Sequence, residues 1–268
     1  MIERELELEG VRLGYRELPG SGPLVVFCHG NSASSEGFEP LVRQLGADVH
    51  ALALDWYGHG RSALPADGQC SVPALAALLV RFVAARTQGE YFLVGHSLGG
   101  HAAMEALPRL SERCRGLLSI AAPPFSRDTI AQVFRDPVAG RLFRDELGPS
   151  DAECIANALF EAGNVPDERV RAAALGVLAT RAGVRSAIGE SVATGAFADE
   201  LAACRGSDVP VRFVQGRRDP FINCAYYQQL PRLLQREASV LFLEAVGHSP
   251  HLEAVPQVAS EVMELIGR

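Results

Sequence analysis

Apolar and charged positions alternate from the first residues of the chain. Ile2, Leu6, Leu8, Val11 and Leu13 are separated by Glu and Arg, with Gly10 between the two halves. That pattern predicts an antiparallel hairpin at a sheet edge. The alternation then gives way to a near-continuous apolar run from Leu24 to Gly30, LVVFCHG, as expected for a strand buried on both faces. A short helical pattern, FEPLVRQLG, leads to a second strand, VHALALD, ending at Asp55. SVPALAALLVRFVAA reads as an amphipathic helix with Ser71 as N-cap and Pro73 in its first turn. Tyr91 to Val94 is a short buried strand followed by a helical pattern, and GLLSIAAPP is another apolar strand.

After Pro124 the texture changes. Residues 125–207 are rich in Ala, Arg, Asp and Glu at helical spacing and hold no strand pattern. Alternation resumes with the strand VPVRFVQG, a helix AYYQQLPRLLQ interrupted by Pro231, the strand SVLFLEAVG and a closing helix VPQVASEVMELIG. Strands alternating with helices predict an α/β fold, a mostly parallel sheet with helices on both faces. The helical block interrupts that series. It is read as an inserted lid over 125–207, with residues 1–124 and 208–268 forming one core.

Composition adds mostly exclusions. Of 268 residues, 48% are apolar and 21% charged, ordinary for a globular protein. A net charge of −7 lacks the basic excess that a nucleic-acid partner calls for. No apolar run reaches the roughly 18 to 20 residues that span a membrane, and MIERELELEG has no leader character. Six scattered cysteines form no C-x-x-C, so neither a metal nor a redox cofactor is expected, and reduced thiols point to the cytoplasm. The oligomeric state is not legible.

The chemistry concentrates in YFLVGHSLGG, where a strand pattern breaks into a serine held between Gly95 and Gly99 and then into a helix. Strand, sharp turn and helix is the setting of a nucleophile elbow, with Ser97 as its nucleophile. A serine hydroxyl is weak at neutral pH and needs a base, and the base needs a third group to fix its tautomer. Among seven histidines, His248 directly follows the last strand, in LEAVGHSPHLEAV. His251 is its rival, placed at the start of the last helix. His101 is expected to pack in the helix after the elbow, and His29 and His59 to shape loops. For the acid, Asp219 follows a strand in QGRRDPF, whereas Asp208 precedes that strand and Asp55 is expected to anchor a turn. Ligands of open α/β sheets bind beyond strand C-terminal ends, which favours Asp219.

The order Ser97, Asp219, His248 is the chain order of the α/β-hydrolases, which this sequence resembles. HGNS, DWYGHGRS, GHSLGG, QGRRDPF and GHSPHLEAVP occur in that family's order, on both sides of the helical block. The resemblance implies an eight-stranded, mostly parallel sheet with a helical lid inserted after the sixth strand. It also implies an oxyanion hole made by the N–H groups of Leu98 and Asn31. Asp is absent from position 97, which sets aside the epoxide hydrolases and haloalkane dehalogenases of this fold.

What remains is acyl chemistry on a small-molecule ester or lactone, with carbon–carbon bond hydrolysis, perhydrolysis of the haloperoxidase type and a non-catalytic small-molecule receptor as alternatives. HGNSASS, SLGGH, PPFSRD and GRRDPF are similar to the lid-bearing N-acyl-homoserine lactonases, and small esterases share parts of them. Trp56, Phe125, Phe134 and Phe160 are the candidate pocket walls, with Phe143 and Phe197 as further lid aromatics. Because the lid supplies no member of the triad, it is expected to set substrate range more than chemical competence.

Overall fold

The computed structural model describes residues 1–110, 112–135 and 140–267. Eight strands form one sheet in the order β1-β2-β4-β3-β5-β6-β7-β8. The strands are β1 (Ile2–Leu8), β2 (Val11–Leu18), β3 (Leu24–Cys28), β4 (His50–Leu54), β5 (Tyr91–His96), β6 (Cys114–Ile120), β7 (Val211–Gly216) and β8 (Ser239–Leu243). β1 and β2 form the expected hairpin, turning through Glu9 and Gly10 at positive φ, and β2 runs antiparallel to β4. From β4 to β8 every pairing is parallel.

The central strands lack polar–apolar alternation because both their faces are covered. In β3, Val26 and Cys28 face a layer with Leu52, Leu54 and Leu93, packed by α2 (Val72–Arg86) and α3 (Leu98–Ala106). Val25 and Phe27 face the opposite layer with Ala51, Ala53 and Val94, closed by α1 (Glu39–Leu45) and the last helix, Val255–Leu265. Each such Val, Leu or Phe contributes about 1.5 to 3 kcal/mol through burial. Ser71 caps α2, its hydroxyl accepting from the N–H of Ala74 at 3.3 Å, with proline in the first turn. Pro231 does not interrupt a helix: it lies in the first turn of Leu230–Leu234, which follows a 3₁₀ segment, Cys224–Gln229. Lacking an N–H, proline is tolerated there.

Between β6 and β7 the described residues carry only helices, Ile130–Val133, Pro149–Ala158, Asp167–Ala179, Val184–Ala193 and Glu200–Arg205, apart from a single bridge from Phe134 to Ile222. Arg185 ties this insert internally, donating to the carbonyls of Arg144, Asp145 and Val177. Among the described residues no helix is long and apolar enough to cross a membrane.

Candidate active site

β5 runs straight into Ser97, whose backbone sits at φ 50° and ψ −121°. Positive φ at a side-chain-bearing residue costs about 1 to 3 kcal/mol and persists only where the surroundings enforce it. Here the Ser97 N–H donates to Ile120 O at 2.8 Å, and its carbonyl accepts from Gly100 and His101. The flanking glycines are demanded by contact. A β-carbon on Gly99 would lie 2.1 Å from the carbonyl oxygen of Cys28, and one on Gly95 would lie 2.6 Å from the α-carbon of Gly100. Ser97 itself remains half-buried.

Beyond the ends of β7 and β8, His248 and Asp219 meet. His248 Nδ1–H donates to Asp219 Oδ2 at 2.7 Å, with the two residues 3% and 2% exposed. A buried carboxylate needs several donors to remain charged. Asp219 Oδ1 accepts from the N–H groups of Phe221 and Ile222, and Oδ2 also accepts from Gln215 Nε2 at 2.9 Å. Tyr227 OH donates in turn to Gln215 Oε1 at 2.9 Å. With Nδ1 engaged, His248 Nε2 is left as the proton acceptor. Phe221 packs edge-on against the His248 ring at 4.9 Å.

Neither candidate oxyanion donor is spoken for. The backbone N–H groups of Leu98 and Asn31 donate to no protein acceptor among the described residues. Leu98 opens α3, so the helix dipole favours negative charge there. The Asn31 side chain donates to Leu142 O at 2.8 Å, which ties the loop to the helical insert.

The remaining polar residues hold loops. Asp55 accepts from the N–H groups of Ser35 and Arg61 through its two carboxylate oxygens, the turn-anchoring arrangement. His29 accepts from the N–H of Trp56 at 3.0 Å, and His59 from that of Ser32 at 3.1 Å. His101 pairs with the buried Glu200 at 3.0 Å. His251 occupies a separate short helix, Pro250–Glu253, rather than the start of the last one. Its Nδ1 is buried without a partner and its ring lies 4.3 Å from that of His96. Among the described residues no carboxylate is hydrogen-bonded to its ring.

Burial lowers the pKa of His29 to about 4 and those of His59 and His251 to about 3. The neighbouring His29 adds to the effect at His59, and His248 adds to it at His251. An unfolded chain takes up these protons near 6.5, whereas the folded protein resists them down to those lower values. The unfolded state therefore binds more protons in that window, and stability present above pH 6.5 is lost as pH falls toward 4. Thermal melts between pH 7.5 and about 4.5 should show a steady fall in Tm through this window. A flat Tm would contradict neutral, buried imidazoles.

Of the candidate walls, Phe160 lines a cavity of about 110 Å³ bounded also by Asn31, Phe38, His96, Arg169 and His251, and by none of Ser97, Asp219 and His248. Trp56 does not fit its expected place. It is 0% exposed and its indole N–H donates to His29 O, so its bulk holds the loop from beneath. Phe125 and Phe134 pack on each other and on His101, away from that cavity.

Residues 25–261 match the model of the Alpha/beta hydrolase family. The chain belongs to the alpha/beta hydrolase family. Among curated relatives, 2-(acetamidomethylene)succinate hydrolase of Mesorhizobium japonicum is 28% identical, over 87% of this chain and 84% of its own. Pimeloyl-[acyl-carrier protein] methyl ester esterase of Xylella fastidiosa is 26% identical, over 94% of this chain and 98% of its own. A solved structure of a variant of the N-acyl homoserine lactonase AidH, with N-hexanoyl homoserine lactone, superposes with a TM-score of 0.86. It covers 99% of this chain and 97% of the other at 22% identity, a likeness of fold.

Three residues at the site carry no expectation from sequence. His96 Nε2–H donates to the carbonyl of His248 at 2.8 Å, Gln215 holds Asp219, and Glu253 gathers N–H groups around the His248 loop. A glutamine at the buried end of the strand VRFVQG is the one signal that marked any of them.

Proposed function

We propose that this protein is a serine hydrolase that opens a small or medium carboxylic ester or lactone through an acyl-enzyme on Ser97. The observation that carries the reading is the buried 2.7 Å contact from His248 to Asp219, set beyond two strand ends of the same sheet in which β5 runs into Ser97. His248 Nε2 takes the hydroxyl proton as Ser97 Oγ attacks the acyl carbon. The tetrahedral oxyanion is received by the N–H groups of Leu98 and Asn31, each worth about 3 to 4 kcal/mol where such donors have been removed. Collapse expels the alkoxide, which His248 protonates, and a water activated by the same imidazole cleaves the acyl-enzyme. In a lactone the freed hydroxyl stays on the same carbon skeleton as the acyl group, so the second step releases a single hydroxy acid.

Residues 125–207 act in this reading as a lid that shapes the acyl pocket. The relatives support ester chemistry, since one of them is named a methyl ester esterase. A panel of p-nitrophenyl esters of graded chain length beside N-acyl-homoserine lactones tests the proposal. Turnover of esters or lactones is expected, and a folded protein inert on both would contradict it. Within that panel, Phe160→Ala should shift the ratio of kcat/KM between short and long acyl chains by about 10-fold. An unchanged ratio would remove Phe160 from the pocket wall.

A further inference from the structure

The helical insert touches the loop of the base itself. The N–H of His248 donates to the carbonyl of Leu159 at 3.1 Å. Beside it, the Glu253 carboxylate accepts four hydrogen bonds. Two come from residues flanking His248, Gly247 N–H to Oε2 at 2.9 Å and Ser249 N–H to Oε1 at 3.1 Å. Two come from the insert, Glu161 N–H at 2.8 Å and Asn164 Nδ2 at 3.0 Å, both to Oε2. Asn164 Nδ2 also donates to Ala245 O at 2.6 Å. The approach is close enough that a β-carbon on Gly247 would lie 2.8 Å from Glu161 N.

We propose that Glu253 is a positioning residue that couples the helical insert to the base, its one carboxylate bridging Glu161 and Asn164 to the two neighbours of His248. The inference rests on the reading of His248 as the base. One anion satisfying N–H groups from two separate segments fixes their relative placement, and charge-assisted hydrogen bonds are the stronger kind. His248 is then held from three sides: its side chain by Asp219, its carbonyl by His96 and its N–H by Leu159. Displacing residues 159–164 releases the last of these and half of the Glu253 contacts. The insert thereby bears on chemical competence at this edge, as well as on substrate range.

The experiment compares the rate of fluorophosphonate labelling, kcat, KM and the pH profile of kcat/KM in wild type, His248→Ala, Glu253→Ala, Glu253→Gln and Asn164→Ala. Circular dichroism checks each fold. Glu253→Ala should lower kcat and the labelling rate by on the order of 10²-fold, the cost of misplacing a catalytic group by about 1 Å, with KM little changed. Glu253→Gln keeps one acceptor oxygen and should recover part of that loss. Asn164→Ala, which removes the insert's side-chain donor to Glu253 and to Ala245, should lower kcat by a smaller factor and keeps the proposal testable should Glu253→Ala fail to fold. Inert His248→Ala beside fully active Glu253→Ala and Asn164→Ala would overturn the coupling and leave the base in place. A fully active His248→Ala would overturn the base, and the coupling with it.

Discussion

Ser97→Ala is expected to lose about 10⁶ in kcat while melting at nearly the wild-type temperature. The substitution removes one half-buried oxygen and no packed carbon, and alanine meets the same backbone as serine at φ 50°. The elbow is enforced by Ile120, Gly100 and His101 through main-chain bonds that do not involve the hydroxyl. On the proposed mechanism no acyl-enzyme forms without the hydroxyl, and the residual rate is that of water in a site with oxyanion donors. Steady-state kinetics with an ester from the panel, beside a thermal melt, checks both halves. Activity within ten-fold of wild type would move the nucleophile elsewhere.

The second large effect is unequal within one hydrogen-bonded pair. His248→Ala should be nearly as severe as losing Ser97, because in the proposed mechanism the imidazole moves a proton in both half-reactions. Asp219→Asn removes a charge but not the proton carrier, and should cost about 10⁴ in kcat, as the corresponding change does in other serine hydrolases. The structure explains why even an isosteric amide is disruptive. Four donors converge on the Asp219 carboxylate, from Phe221, Ile222, Gln215 and His248, and an amide must point its own N–H₂ at two of them. His251→Ala and Asp55→Asn complete the set. An inert, folded His251→Ala beside an active His248→Ala would reverse the assignment of the base.

The sheet was legible because apolar runs such as LVVFC can be buried on both faces only in a covered parallel sheet, and because SVP marks the start of α2 unambiguously. The meeting of Asp219 with His248 was legible for a related reason: each lies in the loop after a strand, and adjacent parallel strands end side by side. Contacts between polar groups from distant segments leave no such period. Glu253 looks like an exposed position at a helix start, yet it binds residues of the insert about ninety positions earlier in the chain. Trp56 was misread for the converse reason. A tryptophan just beyond a strand end suits a pocket mouth, but its N–H found the carbonyl of His29 and its ring was drawn into the core.

The most direct test is to locate a covalent adduct. The protein would be treated with a fluorophosphonate, digested, and the modified side chain identified by mass spectrometry. The account predicts one adduct, on Ser97, and none in Ser97→Ala. An adduct on any other residue, or a folded wild-type protein that stays unmodified, would contradict it.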